Sequence, residues 1–73
     1  MKAYLKTMAE LFKLAAMYQD KFATAYLAEL LERSTEPAAA LEHWRGCKKY
    51  LACIADTLLL QQVEDYLTEQ VKQ

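Results

Sequence analysis

The chain has 73 residues, of which 55% are apolar and 26% charged, and its formal net charge is −1. This length allows one domain, which we expect to span 1–73. The composition predicts ordered helix, because helix-favouring residues are abundant while glycine and proline occur once each. A charge near zero gives no general attraction to nucleic acid or to anionic membranes. Neither is therefore an expected partner.

The first residues do not resemble a secretory signal, because Lys6, Glu10 and Lys13 interrupt any apolar core. No stretch approaches the roughly 18 to 20 continuous apolar residues that span a membrane. Cys47 and Cys53 lie on different faces of a helix, so we expect both to be unpaired thiols in a reducing compartment. The predicted location is the cytoplasm, with no membrane span.

The first half of the chain predicts one long amphipathic helix over 2–33. This range contains no glycine or proline, and its apolar side chains recur at steps of three and four residues. Met8, Phe12, Phe22 and Tyr26 lie on the apolar face. We expect these four side chains to form the first helix's share of the core.

A change of direction is predicted at about 33–37. Ser34 or Thr35 can cap a helix start, and Pro37 suits a first helical turn because proline has no N–H to leave unpaired. A second helix should then run from Pro37 to about Val71. The predicted fold class is all-α, an antiparallel hairpin of two long helices.

Antiparallel pairing places opposite each other residues whose numbers add up to about 71. The charges that this register brings together are Lys2 and Lys6 with Glu69 and Asp65, Lys13 with Asp56, and Asp20 with Lys48 and Lys49. Surface ion pairs contribute only about 0 to 1 kcal/mol each. Their complementarity therefore supports the register and is not the source of stability.

The second helix carries two apolar lines. The line expected to face the first helix contains Trp44, Leu51, Ile54 and Leu58. The line on another face contains Gly46, Cys53, Leu60, Val63, Leu67 and Val71. Burying a leucine is worth about 1.5 to 3 kcal/mol, so this second apolar line should be covered by a partner. We predict a homodimer, in which two hairpins pair into a four-helix bundle, or a complex with another protein.

Gly46 leaves one alternative open. A glycine inside a helix costs about 1 kcal/mol relative to alanine, so a break at Gly46 would give three helices. The continuous helix is preferred because Trp44, Cys47 and Leu51 keep their phase across it. On the second apolar line, a glycine would also let another backbone approach closely.

The residue pattern predicts no catalytic, metal or cofactor site. His43 and Cys47 are four residues apart and could supply two zinc ligands, but zinc needs three or four. Two helices make no oxyanion hole for a Cys-His nucleophile, and one glycine is too few for a phosphate-binding loop. We therefore expect a protein that is not an enzyme and carries no cofactor.

Two functions fit this sequence. The first is a protein–protein interaction module, an adaptor, chaperone or inhibitor, that uses the second apolar line. In size and architecture the predicted hairpin is similar to the small co-chaperones of type III secretion and to small phage-encoded inhibitors, which implies a bacterial or phage source. The second is a small dimeric nucleic-acid-binding regulator that uses a basic patch of Arg45, Lys48 and Lys49. Three cations on a chain of net charge −1 make it the weaker alternative.

Overall fold

The structure, a computed structural model, describes residues 2–73. These residues form no strand and fold into four α-helices, α1 Lys2–Met17, α2 Lys21–Arg33, α3 Pro37–Leu51 and α4 Thr57–Lys72. The all-α prediction is confirmed, and the chain turns between α2 and α3 where the sequence predicts it. The prediction of two long helices is wrong, because each of them is interrupted once.

Gln19 and Asp20 make the first interruption. Gln19 has a left-handed φ of 52°, a conformation that ends helices. Its N–H donates to the carbonyl of Ala16 at 3.0 Å, and the N–H of Asp20 donates to the carbonyl of Ala15 at 2.9 Å. The Asp20 carboxylate then accepts from the N–H of Ala23 at 3.0 Å and caps α2. The chain therefore reverses here without a glycine or a proline.

Asp56 makes the second interruption by starting α4. Its carboxylate accepts from the N–H of Leu59 at 2.9 Å, which satisfies a donor that has no partner inside the helix. Just before it, the N–H groups of Ile54 and Ala55 both donate to the carbonyl of Leu51 at 3.0 Å. These bonds satisfy the end of α3 within one tightened turn.

Gly46 does not interrupt a helix. It lies within α3 with a negative φ. Apart from its two chain neighbours and the backbone of its own helix, nothing described lies within 4 Å of the place where a Cβ would sit. The three-helix alternative is therefore wrong, because burial of Trp44, Cys47 and Leu51 outweighs the small cost of a helical glycine. The described part of the chain also brings no second backbone close to Gly46.

The helices pack in a closed order, α1 against α2 and α4, and α3 against α2 and α4. Thr7 Oγ1 donates to Gln62 Oε1 at 2.9 Å between α1 and α4, and His43 Nε2 lies 3.0 Å from the carbonyl oxygen of Tyr26 between α3 and α2. The residue numbers add up to 69 in both pairs, close to the predicted register. None of the ion pairs predicted from that register forms within residues 2–73.

One core fills the space between the helices. Of the predicted core residues, it buries Met8, Trp44 and Leu51, and it packs against the partly buried Phe12, Tyr26 and Ile54. Phe22 and Leu58 are instead exposed, so their assignment to the core is wrong. Each is the second residue of a helix that begins after an interruption, where the change of direction turns the apolar face away from the predicted partner.

Candidate protein-binding surfaces

The structure divides the predicted partner interface into two groups. Buried in the core of the chain itself are Leu60, Val63 and Leu67. Exposed are Gly46, Cys53 and Val71. The interruption before α4 turns its apolar line inward against α1 and α3, so these six residues do not form one exposed strip. The buried three could meet a partner only if the core opened.

Exposed apolar side chains gather instead at the end of the molecule where α1 joins α2 and α3 joins α4. We call this surface the apolar end, and its residues are Met17, Tyr18, Phe22 and Leu58, between 59% and 70% exposed. The hydroxyl of Tyr50, near the end of α3, donates to the Asp20 carboxylate at 2.7 Å. This bond fixes the end of α3 beside the turn between α1 and α2.

The apolar end is large for a chain of this size. A large side chain that is two-thirds exposed leaves about 100 to 150 Å² open to water, so the four together present about 500 Å². The four side chains lie beside two neighbouring turns, and their summed area compares with the about 300 to 600 Å² of the largest apolar patch on a typical soluble monomer, which often has a function. The size of the apolar end therefore makes it a candidate binding surface.

A groove of about 520 Å³ lies between α3 and α4 and contains the predicted basic patch. The residues that line this α3–α4 groove are Arg45, Lys48, Lys49, Ala52, Thr57, Leu60, Gln61 and Glu64. The three predicted basic residues do share one surface. The groove also contains an acidic residue, Glu64, that sequence reasoning did not assign to it.

Glu64 holds one of the three cations. Lys48 Nζ lies 2.7 Å from Glu64 Oε1, and the indole N–H of Trp44 donates to the same oxygen at 3.3 Å. The hydrogen bond from Lys48 lowers the pKa of Glu64, with smaller contributions from Trp44 and the nearby Arg45 guanidinium. Arg45 and Lys49 form no ion pair within residues 2–73. The groove therefore has two cations whose charge is not neutralised by a bonded carboxylate.

His43 and Cys47 have structural positions. His43 bridges α3 to α2, since Nε2 lies 3.0 Å from the Tyr26 carbonyl oxygen and Nδ1 lies 3.0 Å from Glu29 Oε2. Cys47 is buried, and burial raises the pKa of its thiol to about 11. A thiol that stays protonated is a poor nucleophile and a poor metal ligand. Residues 2–73 contain no group of three or more His, Cys, Asp or Glu side chains placed to hold a metal ion.

The apolar end and Glu64 were not assigned from the sequence for different reasons. Met17 interrupts the polar face of the first predicted helix, and that irregularity is a usable signal for a surface apolar residue. Glu64 has no comparable signal. It is 16 residues from Lys48, and the two meet only because α4 folds back on α3.

None of the helices between residues 2 and 73 is long and apolar enough to cross a membrane. No known family model matches the chain, and searches for similar curated proteins and similar solved structures found no match.

Proposed function

We propose that the protein is a non-enzymatic protein–protein interaction module that binds its partner through the apolar end. The observation that supports this is the contrast between a closed core and four large apolar side chains left between 59% and 70% exposed. Trp44 and residues from every described helix complete the core without them. Covering apolar side chains that are exposed at one end of the molecule is favourable, because it removes their surface from water.

The apolar end alone supports weak binding. Covering about 500 Å² at about 25 cal/mol per Å² gives a gross gain of about 12 kcal/mol, whereas association itself costs about 4 to 15 kcal/mol. A partner that binds tightly therefore has to make further contacts beside this surface. An adaptor, a small chaperone or an inhibitor would use the surface in this way.

A second copy of the chain is one partner within this proposal. The predicted homodimer then forms through the apolar end, because Leu60, Val63 and Leu67 already have neighbours in their own chain. The proposed location stays cytoplasmic, in keeping with two cysteines that are both unpaired.

The alternative is a dimeric nucleic-acid-binding regulator that uses Arg45, Lys48 and Lys49. Its support is that the three residues line one groove. Against it, Lys48 is paired with Glu64, and that carboxylate would repel a phosphate. Two remaining cations per chain give weak binding that salt removes. Absence of an electrophoretic shift with duplex DNA and with RNA at low salt would exclude this alternative.

The experiment that tests the main proposal is partner capture with matched variants. The tagged protein is expressed in its native host and purified, and the masses of the recovered species are measured. We expect the double substitution Met17→Ser and Phe22→Ser to lose the partner, or to lose self-association in analytical ultracentrifugation, because it removes apolar contact area. Circular dichroism should show unchanged helix content.

Leu5→Ser is the control. Leu5 is also exposed, but it lies at the opposite end of α1 from Met17. This variant should recover the partner at the wild-type yield. Retention of the partner by the Met17 and Phe22 double variant would show that the apolar end is not the binding surface.

A further inference from the structure

The α3–α4 groove begins at the apolar end. Ala52, which follows the last residue of α3, and Thr57, the first residue of α4, both line the groove, and Leu58 of the apolar end is the next residue. A partner segment resting on the apolar end can therefore continue along the groove. The groove is the place where such a partner would find the further contacts that tight binding requires.

The groove concentrates positive charge on an acidic protein. Arg45, Lys48 and Lys49 against Glu64 give the groove a charge of +2, and because the whole chain carries −1, the remainder carries −3. The Lys48–Glu64 pair is internally neutral, so the excess comes from Arg45 and Lys49. Both of these side chains belong to exposed residues. An acidic ligand is the electrostatic complement of this surface.

The Lys48–Glu64 ion pair restrains the surface of the groove between Arg45 and Lys49. Glu64 accepts from the indole N–H of Trp44, whose side chain is wholly buried, so the carboxylate is anchored to the core. The hydrogen bond from Lys48 lowers the pKa of Glu64, which favours the charged carboxylate. The Lys48 ammonium is held at 2.7 Å and has further N–H groups to donate.

We propose that the α3–α4 groove binds an acidic segment of the protein partner, with Arg45 and Lys49 contacting its carboxylates. Ala52, which is exposed, supplies apolar surface in the same groove, which suits a segment that carries both acidic and apolar side chains. A nucleic-acid backbone fits less well, because Glu64 repels phosphate and two cations are few for phosphate binding. The inference rests on the proposed function only in taking the partner to be a protein.

The test uses a designed probe and a reversal of charge. The probe is a fluorescein-labelled helical peptide of about 12 residues with leucines at steps of three and four and glutamates beside them. Its anisotropy is titrated with the full chain. We expect Arg45→Glu with Lys49→Glu to weaken binding by at least about tenfold, and a probe with lysine in place of glutamate to bind this double variant better than it binds the wild type. Salt should weaken both matched complexes.

A matched variant controls for overall charge. Lys2→Glu with Lys6→Glu makes the same change in net charge on α1, away from the groove, and should bind the acidic probe as the wild type does. Three results would overturn the inference: no binding of the acidic probe by the wild type, equal weakening in this control, or tighter binding of a single-stranded oligonucleotide of equal charge. Circular dichroism melting checks that both double variants remain folded.

The two proposals can fail separately. If the Met17 and Phe22 double variant keeps its cellular partner while the Arg45 and Lys49 double variant loses the acidic probe, the groove inference stands and the apolar-end proposal fails. If the first variant loses its partner while the probe never binds, the reverse holds.

Discussion

Tyr50 donates its hydroxyl to the same Asp20 carboxylate that caps α2, at 2.7 Å and 2.8 Å from its two oxygens. Asp20 also accepts from the N–H of Ala23 at 3.0 Å. The Tyr50 ring meets Tyr26 edge to face, with 5.3 Å between the ring centroids. One aspartate therefore starts a helix, marks the turn before it and holds the end of α3, all beside the apolar end.

Asp20→Ala should lower the melting temperature more than Tyr50→Phe does. The first substitution removes both the helix cap and the bond to α3, whereas the second removes only the bond. Asp56→Ala is the control, because it removes a cap of the same kind from α4. Circular dichroism melting gives the order of the three melting temperatures. If Tyr50→Phe proves as costly as Asp20→Ala, the cap makes no contribution of its own.

The Asp20–Tyr50 bond should give the protein a distinct acid response. The hydrogen bond from Tyr50 lowers the pKa of Asp20 below its ordinary value of 3.8. Its stabilising effect is therefore complete above that value and is lost as the pH falls through the lower folded-state pKa. Urea unfolding of the wild type and of Tyr50→Phe should show a stability difference at neutral pH that shrinks in strong acid. A difference that stays constant with pH would mean that the bond is absent in solution.

The hydroxyl of Tyr50, which donates the same bond, should give a signature at alkaline pH. The hydrogen bond to Asp20 raises the pKa of Tyr50 from 10.0 to about 12. A group whose folded-state pKa is raised contributes stability that is complete below pH 10.0 and is lost as the pH rises towards about 12. Ultraviolet titration of the tyrosines should therefore have a late component that Asp20→Asn shifts to lower pH. A single transition near 10.0, unaffected by Asp20→Asn, would contradict this prediction.

The same substitution at Leu58 and Leu60 should have opposite outcomes. Leu60 is 4% exposed, so Leu60→Glu buries a carboxylate in the core and should cost at least about 3 kcal/mol in the free energy of unfolding. Leu58 is 70% exposed in the first turn of α4, where Leu58→Glu should change stability by less than about 0.5 kcal/mol. Urea denaturation measures both. Equal costs would mean that α4 is rotated from the orientation described.

Ellman's reagent should distinguish the two thiols. Cys53 is exposed, whereas Cys47 is buried with a thiol pKa raised to about 11 by desolvation. One thiol per chain should react rapidly in the native protein and two after unfolding in urea. Cys53→Ser should remove the rapid phase, and Cys47→Ser should leave it. Rapid reaction of both native thiols would show that the core around Cys47 opens readily.

The sequence predicts which parts of the chain lie opposite each other better than it predicts where the helices begin and end. The contact between Thr7 and Gln62 lies close to the predicted register, and the turn before Pro37 lies where the proline indicates. That register survives because both interruptions lie at the same end of the molecule, where the Asp20–Tyr50 bond joins the first of them to the end of α3. Because both predicted helices are interrupted at the same level, α1 still packs against α4 and α2 still packs against α3.

The sequence does not predict the interruptions readily because neither contains a glycine or a proline, the residues that most strongly mark the end of a helix. Gln19 takes a left-handed conformation that glycine ordinarily provides. Its neighbours favour helix, so the sequence gives no sign that the helix ends there. Asp20 and Asp56 are good N-caps, and this is the signal that could have revealed both helix starts. The six residues of the predicted interface separate for the same reason, since Leu60, Val63 and Leu67 are covered once α4 turns back within the chain.

The closed order of the helices also sets the order in which the molecule can assemble. α1 with α2 and α3 with α4 are helix pairs joined by short turns, so their contacts form over short loops at small entropic cost. The bond between Thr7 and Gln62 spans 55 positions and closes the ring of helices. We therefore expect α1 and α4 to meet late in folding. Until they do, the side of α4 that packs against α1 lies open to other chains, which makes the nascent protein most prone to misassociation before α1 and α4 meet.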